Sequence, residues 1–146
     1  MMIPELLVAL LIASNPATDN RLALAPVTPS RVLAPFREPQ DDYAPGHRGA
    51  DLIASAGQTV RAPMSGTVTF TGSVAGRPIV VIADGNRMVT LEPVRGTVAA
   101  GQVVAAGARV GVVGTGGHCS RRCLHLGLRV GGAYVDPLRL RVHLVP

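Results

Sequence analysis

All seventeen glycines of this chain fall between Gly46 and Gly132. Glycine supplies the backbone angles that tight turns need and weakens helix interiors. The stretch is therefore built for frequent reversals of direction. Between the glycines the apolar residues come in short runs of strand type. Thr67-Val68-Thr69-Phe70-Thr71 alternates, and Pro78-Ile79-Val80-Val81-Ile82-Ala83 is continuously apolar. Asp84-Gly85-Asn86 then turns the chain into a return strand over 87–91. Val103-Val104, 109–113 and 124–130 read the same way, and no stretch after residue 45 keeps a helical period of useful length. Many short strands joined by glycine turns predict an all-β domain, a sandwich or barrel.

The segment before that domain has the opposite composition. Residues 15–45 hold six of the twelve prolines and no glycine. This predicts a semi-extended, Pro-rich linker, with a domain boundary near residue 45 and the domain proper over 46–146. Residues 1–14 contain an apolar run, 6–13, far short of the roughly 20 residues that span a bilayer. It suits the apolar core of a signal peptide ending at Ile12-Ala13-Ser14, although Glu5 stands where such peptides carry positive charge. The expectation is export, to the medium or the cell wall.

The net charge is +5 and every one of the fourteen basic residues is Arg. A basic surface suits a polyanionic partner, an anionic cell-wall polymer among them. Nucleic acid is disfavoured, since there is no Trp, only four other aromatics, and the Arg residues are scattered. So few aromatics leave the core to Val, Leu, Ile and Ala. Gly-x-Val units such as Gly66-Thr67-Val68 and Gly101-Gln102-Val103 echo lipoyl- and biotinyl-carrier folds. A carrier needs a modifiable Lys, and the chain has none.

Candidate chemistry lies in two stretches. Gly46-His47-Arg48-Gly49-Ala50-Asp51-Leu52 places an imidazole and a carboxylate four residues apart, a spacing that shares a face in strand or helix. His47 and Asp51 are thus half of a zinc site. Cys119-Ser120-Arg121-Arg122-Cys123-Leu124-His125-Leu126-Gly127-Leu128 offers His125 as a third ligand. In that strand Leu124, Leu126, Leu128 and Val130 point to the core, and Cys123, His125, Gly127 and Arg129 to the other face.

These stretches, with Val60-Arg61-Ala62-Pro63, the Gly-x-Val run at 101–114 and Tyr134-Val135-Asp136-Pro137-Leu138, resemble lysostaphin/LytM-type zinc metalloendopeptidases over roughly residues 45–140. The resemblance implies cleavage of peptide cross-links in bacterial peptidoglycan, with zinc held by His47, Asp51 and His125 and a fourth position open to water. The chain departs from the family in two places. The family's His-x-His in the last strand is Cys123-Leu124-His125 here. Its Tyr-x-His segment is replaced by Thr90-Leu91-Glu92-Pro93-Val94. Both usual catalytic imidazoles are therefore missing. Two substitutes are at hand. His118, in the glycine-rich loop Thr115-Gly116-Gly117-His118, is a candidate base or oxyanion partner, and Glu92 is a candidate general base. His143 is given no role. Two cysteines in an exported chain suggest a Cys119–Cys123 disulfide, a small loop worth about 2 kcal/mol. The alternative is Cys123 as a fourth zinc ligand in a closed, structural site. Two functions follow: a zinc endopeptidase of peptidoglycan, or a catalytically degenerate domain of the same fold that binds cell wall or regulates another hydrolase.

Overall fold

The computed structural model describes residues 24–28, 31–41 and 46–139. Their regular structure is all β, with no helix among the described residues and so none long and apolar enough to cross a membrane. Eleven strands follow in order: β1 (Val32–Ala34), β2 (Ala50–Ile53), β3 (Thr59–Arg61), β4 (Gly66–Val74), β5 (Arg77–Asp84), β6 (Arg87–Glu92), β7 (Val94–Gly96), β8 (Val103–Val104), β9 (Arg109–Val113), β10 (Cys123–Val130) and β11 (Ala133–Val135).

The larger sheet runs β1-β2-β10-β6-β5-β4-β8, with β11 added to the far end of β10. The smaller sheet is β3-β9-β7. All pairings are antiparallel, as short connections require. The core is aliphatic. Leu52, Val68, Ile82, Val89, Leu91, Leu124, Leu126 and Leu128 of the larger sheet join Val60, Val94 and Val110 of the smaller one, all at 0% exposure. A buried Leu or Val contributes on the order of 1.5–3 kcal/mol, so a core without aromatics suffices here.

Alternation, or a continuous apolar run in the case of β5, and the glycine turns between runs located β4, β5, β6, β9 and β10 in the sequence. The strands β1, β2, β3, β7 and β11 are three or four residues long, too short to display a period. The described parts of the segment expected to be a linker are packed into the domain. Leu24 and Val27 are fully buried in the core. Ala25 donates to the Pro63 carbonyl and Arg61 to the Val27 carbonyl. Proline enrichment marks chain that cannot pair along both edges, and β1, at the sheet margin, pairs along one only. The expected signal peptide over 1–14 and His143 lie outside the described residues.

Candidate metal centre

Strand β10 sets the site. It is bonded to β2 on one side and β6 on the other, and the registers place His125 opposite both Asp51 and Glu92. Period two then puts these three side chains on one face of the sheet, away from the leucine face. His125 Nδ1 lies 2.7 Å from Asp51 Oδ1. Its ring passes over Gly49, where an added Cβ would stand 2.5 Å from His125 Nε2 and from the Leu126 carbonyl. Gly49 is thus a close-approach glycine, and any side chain there would displace the imidazole.

His47 arrives by a different route from the shared strand face its spacing suggested. It lies outside β2, bridged to Arg37 by two backbone hydrogen bonds of 3.0 Å, and a bend at Arg48 and Gly49 leads into β2. Its Nδ1 donates to the Pro35 carbonyl at 2.7 Å, which leaves the lone pair on Nε2. That Nε2 is buried without a hydrogen-bond partner, 3.2 Å from Asp51 Oδ1 but not in bonding geometry. A metal ligand has this environment: one ring nitrogen oriented by a carbonyl, the other aimed at an acceptor site.

His118 comes from the loop between β9 and β10. Its Nε2 lies 3.0 Å from both oxygens of Asp51, while the side chain is 55% exposed. Two features hold this loop over the site face. Gly116, at φ +113°, lies so close to the Gly76 carbonyl at the β4–β5 turn that a Cβ would meet it at 2.4 Å. Cys119 and Cys123, both buried, form a disulfide. The four groups His47, Asp51, His118 and His125 each place a ligand atom within 4.8 Å of the others. The three imidazole rings meet edge to face, with centroids 5.1 to 6.0 Å apart.

Asp51 is 5% exposed. Burial raises its pKa, but hydrogen bonds from His125 and His118 and the charge of both rings outweigh it and bring the group from 3.8 to about 2. The carboxylate is therefore ionised at any pH at which a metal would bind. Glu92 sits apart from this cluster. Its Oε2 lies 3.0 Å from Arg77 Nε, and it lines a small cleft with Arg77, Pro93, Gly116, Gly117, His118 and Cys119. The structure thus brings His47, Asp51, His118 and His125 together and leaves Glu92 beside them in an ion pair. Sequence reasoning passed over two participants. The Pro35 carbonyl carries no sequence signal. Gly49 did, as the glycine between the two ligands.

The antiparallel fold thus gathers His47, Asp51, His118 and His125, a donor set that could hold a metal ion, on one sheet face. Residues 45–137 match Peptidase family M23, and the chain belongs to that family. It is 40% identical over 131 residues to an uncharacterized protein of Mycobacterium tuberculosis, an alignment covering 85% of this chain and 53% of that protein. The chain thus spans about half the length of the curated relatives it matches. Among solved structures it superposes on a mutant catalytic domain of the prophage-encoded M23 protein EnpA of Enterococcus faecalis, with a TM-score of 0.67 at 26% identity, covering 80% of this chain and 95% of that one. Lysostaphin gives 0.65 at 21% identity, covering 80% and 51%. A zinc-containing peptidase of Vibrio cholerae gives 0.66 at 19%, covering 80% and 38%. These last two likenesses show the fold.

Proposed function

We propose that this chain is a zinc-dependent endopeptidase domain that cleaves peptide cross-links of peptidoglycan outside the cytoplasm. The observation that carries the reading is the convergence of His47, Asp51, His125 and His118 on one point of the sheet face. The donor set fits zinc. Imidazole nitrogens and a carboxylate oxygen suit a borderline cation. The buried, unpartnered Nε2 of His47 is the atom such an ion would satisfy. The Vibrio cholerae relative in fold is a zinc-containing peptidase, and the solved fold relatives include lysostaphin.

In this reading His47, Asp51 and His125 hold the metal. Zinc there supplies Lewis-acid polarisation of the scissile carbonyl and acidifies the attacking water. His118 handles the proton. Half exposed at the mouth of the site, it takes a proton from the water at Nδ1, the ring nitrogen that Asp51 does not engage, and returns one to the leaving amine. Asp51 orients that imidazole through its two oxygens. Glu92, held by Arg77, has an electrostatic part beside the site. The net charge of +5 suits an anionic wall.

One observation favours a second reading. His118 Nε2 lies within the same 4.8 Å cluster as the other three groups, so it can serve as a fourth ligand. A four-ligand site has no place for water, and the domain would then bind wall or regulate another hydrolase. Digestion of purified peptidoglycan separates the two. Release of soluble muropeptides, abolished by a chelator and restored by zinc, supports the enzyme. Zinc-loaded protein that releases none supports the binding domain.

A further inference from the structure

The metal centre shares two of its groups with a second cluster. Asp51, His118, Cys119 and Cys123 also place one ligand atom each within 4.8 Å of one another. The two sulfurs are bonded to each other, so this second set becomes available once that bond opens. The spacing of Cys119 and His118 is already that of a ligand shell, while the two sulfurs, bonded to each other, would separate on reduction. Cys119 Sγ lies 3.7 Å from His118 Nε2. The edge of a tetrahedron built on zinc–sulfur and zinc–nitrogen bonds is about 3.5 Å, from bond lengths of about 2.3 and 2.0 Å. Cys123 stands two residues before His125 in β10, so its side chain shares the site face.

The loop between the cysteines is prepared to move. Ser120 and Arg121 hold φ of 36° and 73°, a left-handed region that disfavours non-glycine residues. Opening the disulfide frees both to relax. Cys119 also lines the small cleft beside His118 and Glu92, and both cysteines are otherwise buried, so the loop must open before a dithiol reaches them.

We propose that the Cys119–Cys123 disulfide is a redox switch on the metal centre. Once reduced, both thiolates join Asp51 and His118 in an all-protein zinc shell, and no position is left for water or substrate. The proposal rests on the metal reading above. The reductant is a dithiol. It gives up two electrons and closes its own S–S bond as the protein's S–S bond breaks. Its two protons pass to the cysteine sulfurs and are released to solvent when metal binds. Thiolates are softer ligands than imidazole and carboxylate and hold zinc tightly. The oxidised form is thus the open centre and the reduced form the closed one.

Cobalt(II) reads out the switch without reference to activity. The full chain is loaded with cobalt in the oxidised form, and again after reduction by a dithiol that is then removed without oxygen. Circular dichroism checks that the sheet persists. The oxidised form should show no sulfur-to-cobalt charge-transfer band and the reduced form a strong one. Zinc affinity, measured by chelator competition, should rise about tenfold or more on reduction. The Cys119→Ser/Cys123→Ser double variant opens the same loop without sulfur, and should bind cobalt without the band at the oxidised form's affinity. A reduced chain that binds cobalt without a sulfur band overturns the switch. So does a double variant that holds zinc as tightly as the reduced chain. If the oxidised chain alone takes up no cobalt, the metal reading fails while a sulfur band in the reduced chain upholds the thiolate shell. No cobalt in either form overturns both.

Discussion

His118 Nε2 lies equidistant, at 3.0 Å, from the two carboxylate oxygens of Asp51. The two residues come from different elements, the β9–β10 loop and strand β2, and the disulfide after His118 keeps the loop over the sheet. The relationship gives the chain a third imidazole at the His/Asp cluster although Cys123 stands in β10 two residues before His125.

His118→Ala tests what that imidazole does. The three remaining groups keep the metal, so zinc content should stay near that of the wild type. Muropeptide release should fall about 10²- to 10⁴-fold, the scale of a lost acid–base group. Glu92→Gln should cost much less, because that carboxylate is held by Arg77. Loss of zinc from His118→Ala would instead make His118 a ligand.

Gly49→Ala should be disruptive for so small a change. The added Cβ stands 2.5 Å from His125 Nε2 and from a backbone oxygen, so ring or strand must move. The expected loss is about 1–3 kcal/mol of stability, as for other overpacked sites, together with weaker zinc binding. Thermal melts and zinc titration of the variant measure both. Wild-type affinity in Gly49→Ala would show that the His125 ring position is not needed.

Arg37→Pro removes the backbone N–H that donates to the His47 carbonyl at 3.0 Å. The bridge between the two residues should open and the Pro35 carbonyl lose its hold on His47 Nδ1. Losing a partner that orients a ligand costs about 10- to 100-fold in metal affinity. Chelator competition checks this, with circular dichroism to confirm that the sheet persists.

The pH dependence of the metal-free fold follows from Asp51. Its pKa falls from 3.8 to about 2 on folding, so the folded state prefers the ionised form. The associated stability, about 2 kcal/mol, is fully present above pH 3.8 and is lost as the pH falls through about 2. Asp51→Asn should remove that component, leaving a flatter acid branch in denaturant melts of the metal-free protein. An unchanged acid branch would show that the carboxylate is not held by its imidazole partners.

The sequence exposed the fold wherever one face of a strand is buried and the strand is long. In β10 the leucines at 124, 126 and 128 are fully buried, and the residues between them are therefore the site face. The same alternation placed His125 correctly before any partner strand was known. What stayed hidden depended on contacts distant in the chain. The Pro-rich segment reads as linker because a three-residue edge strand shows no period, yet Pro35 in it orients His47. The ion pair of Glu92 with Arg77 is a diagonal cross-strand contact of the β5–β6 hairpin; the hairpin is legible in the sequence, but the register that sets these two side chains together is not. The disulfide was readable from cysteine count and an expected export. That it would set His118 against Asp51 was not, since the path of a glycine-rich loop follows from what it packs on.

The most direct measurement of the account is metal content by mass spectrometry after loading with zinc and dialysis, for the oxidised wild type and for His47→Ala, Asp51→Ala and His125→Ala. The account predicts roughly one zinc per wild-type chain, with affinity lower by orders of magnitude in each folded variant, because each removes one of three ligands. A wild-type chain that keeps no zinc, or variants that keep as much as the wild type, would contradict it.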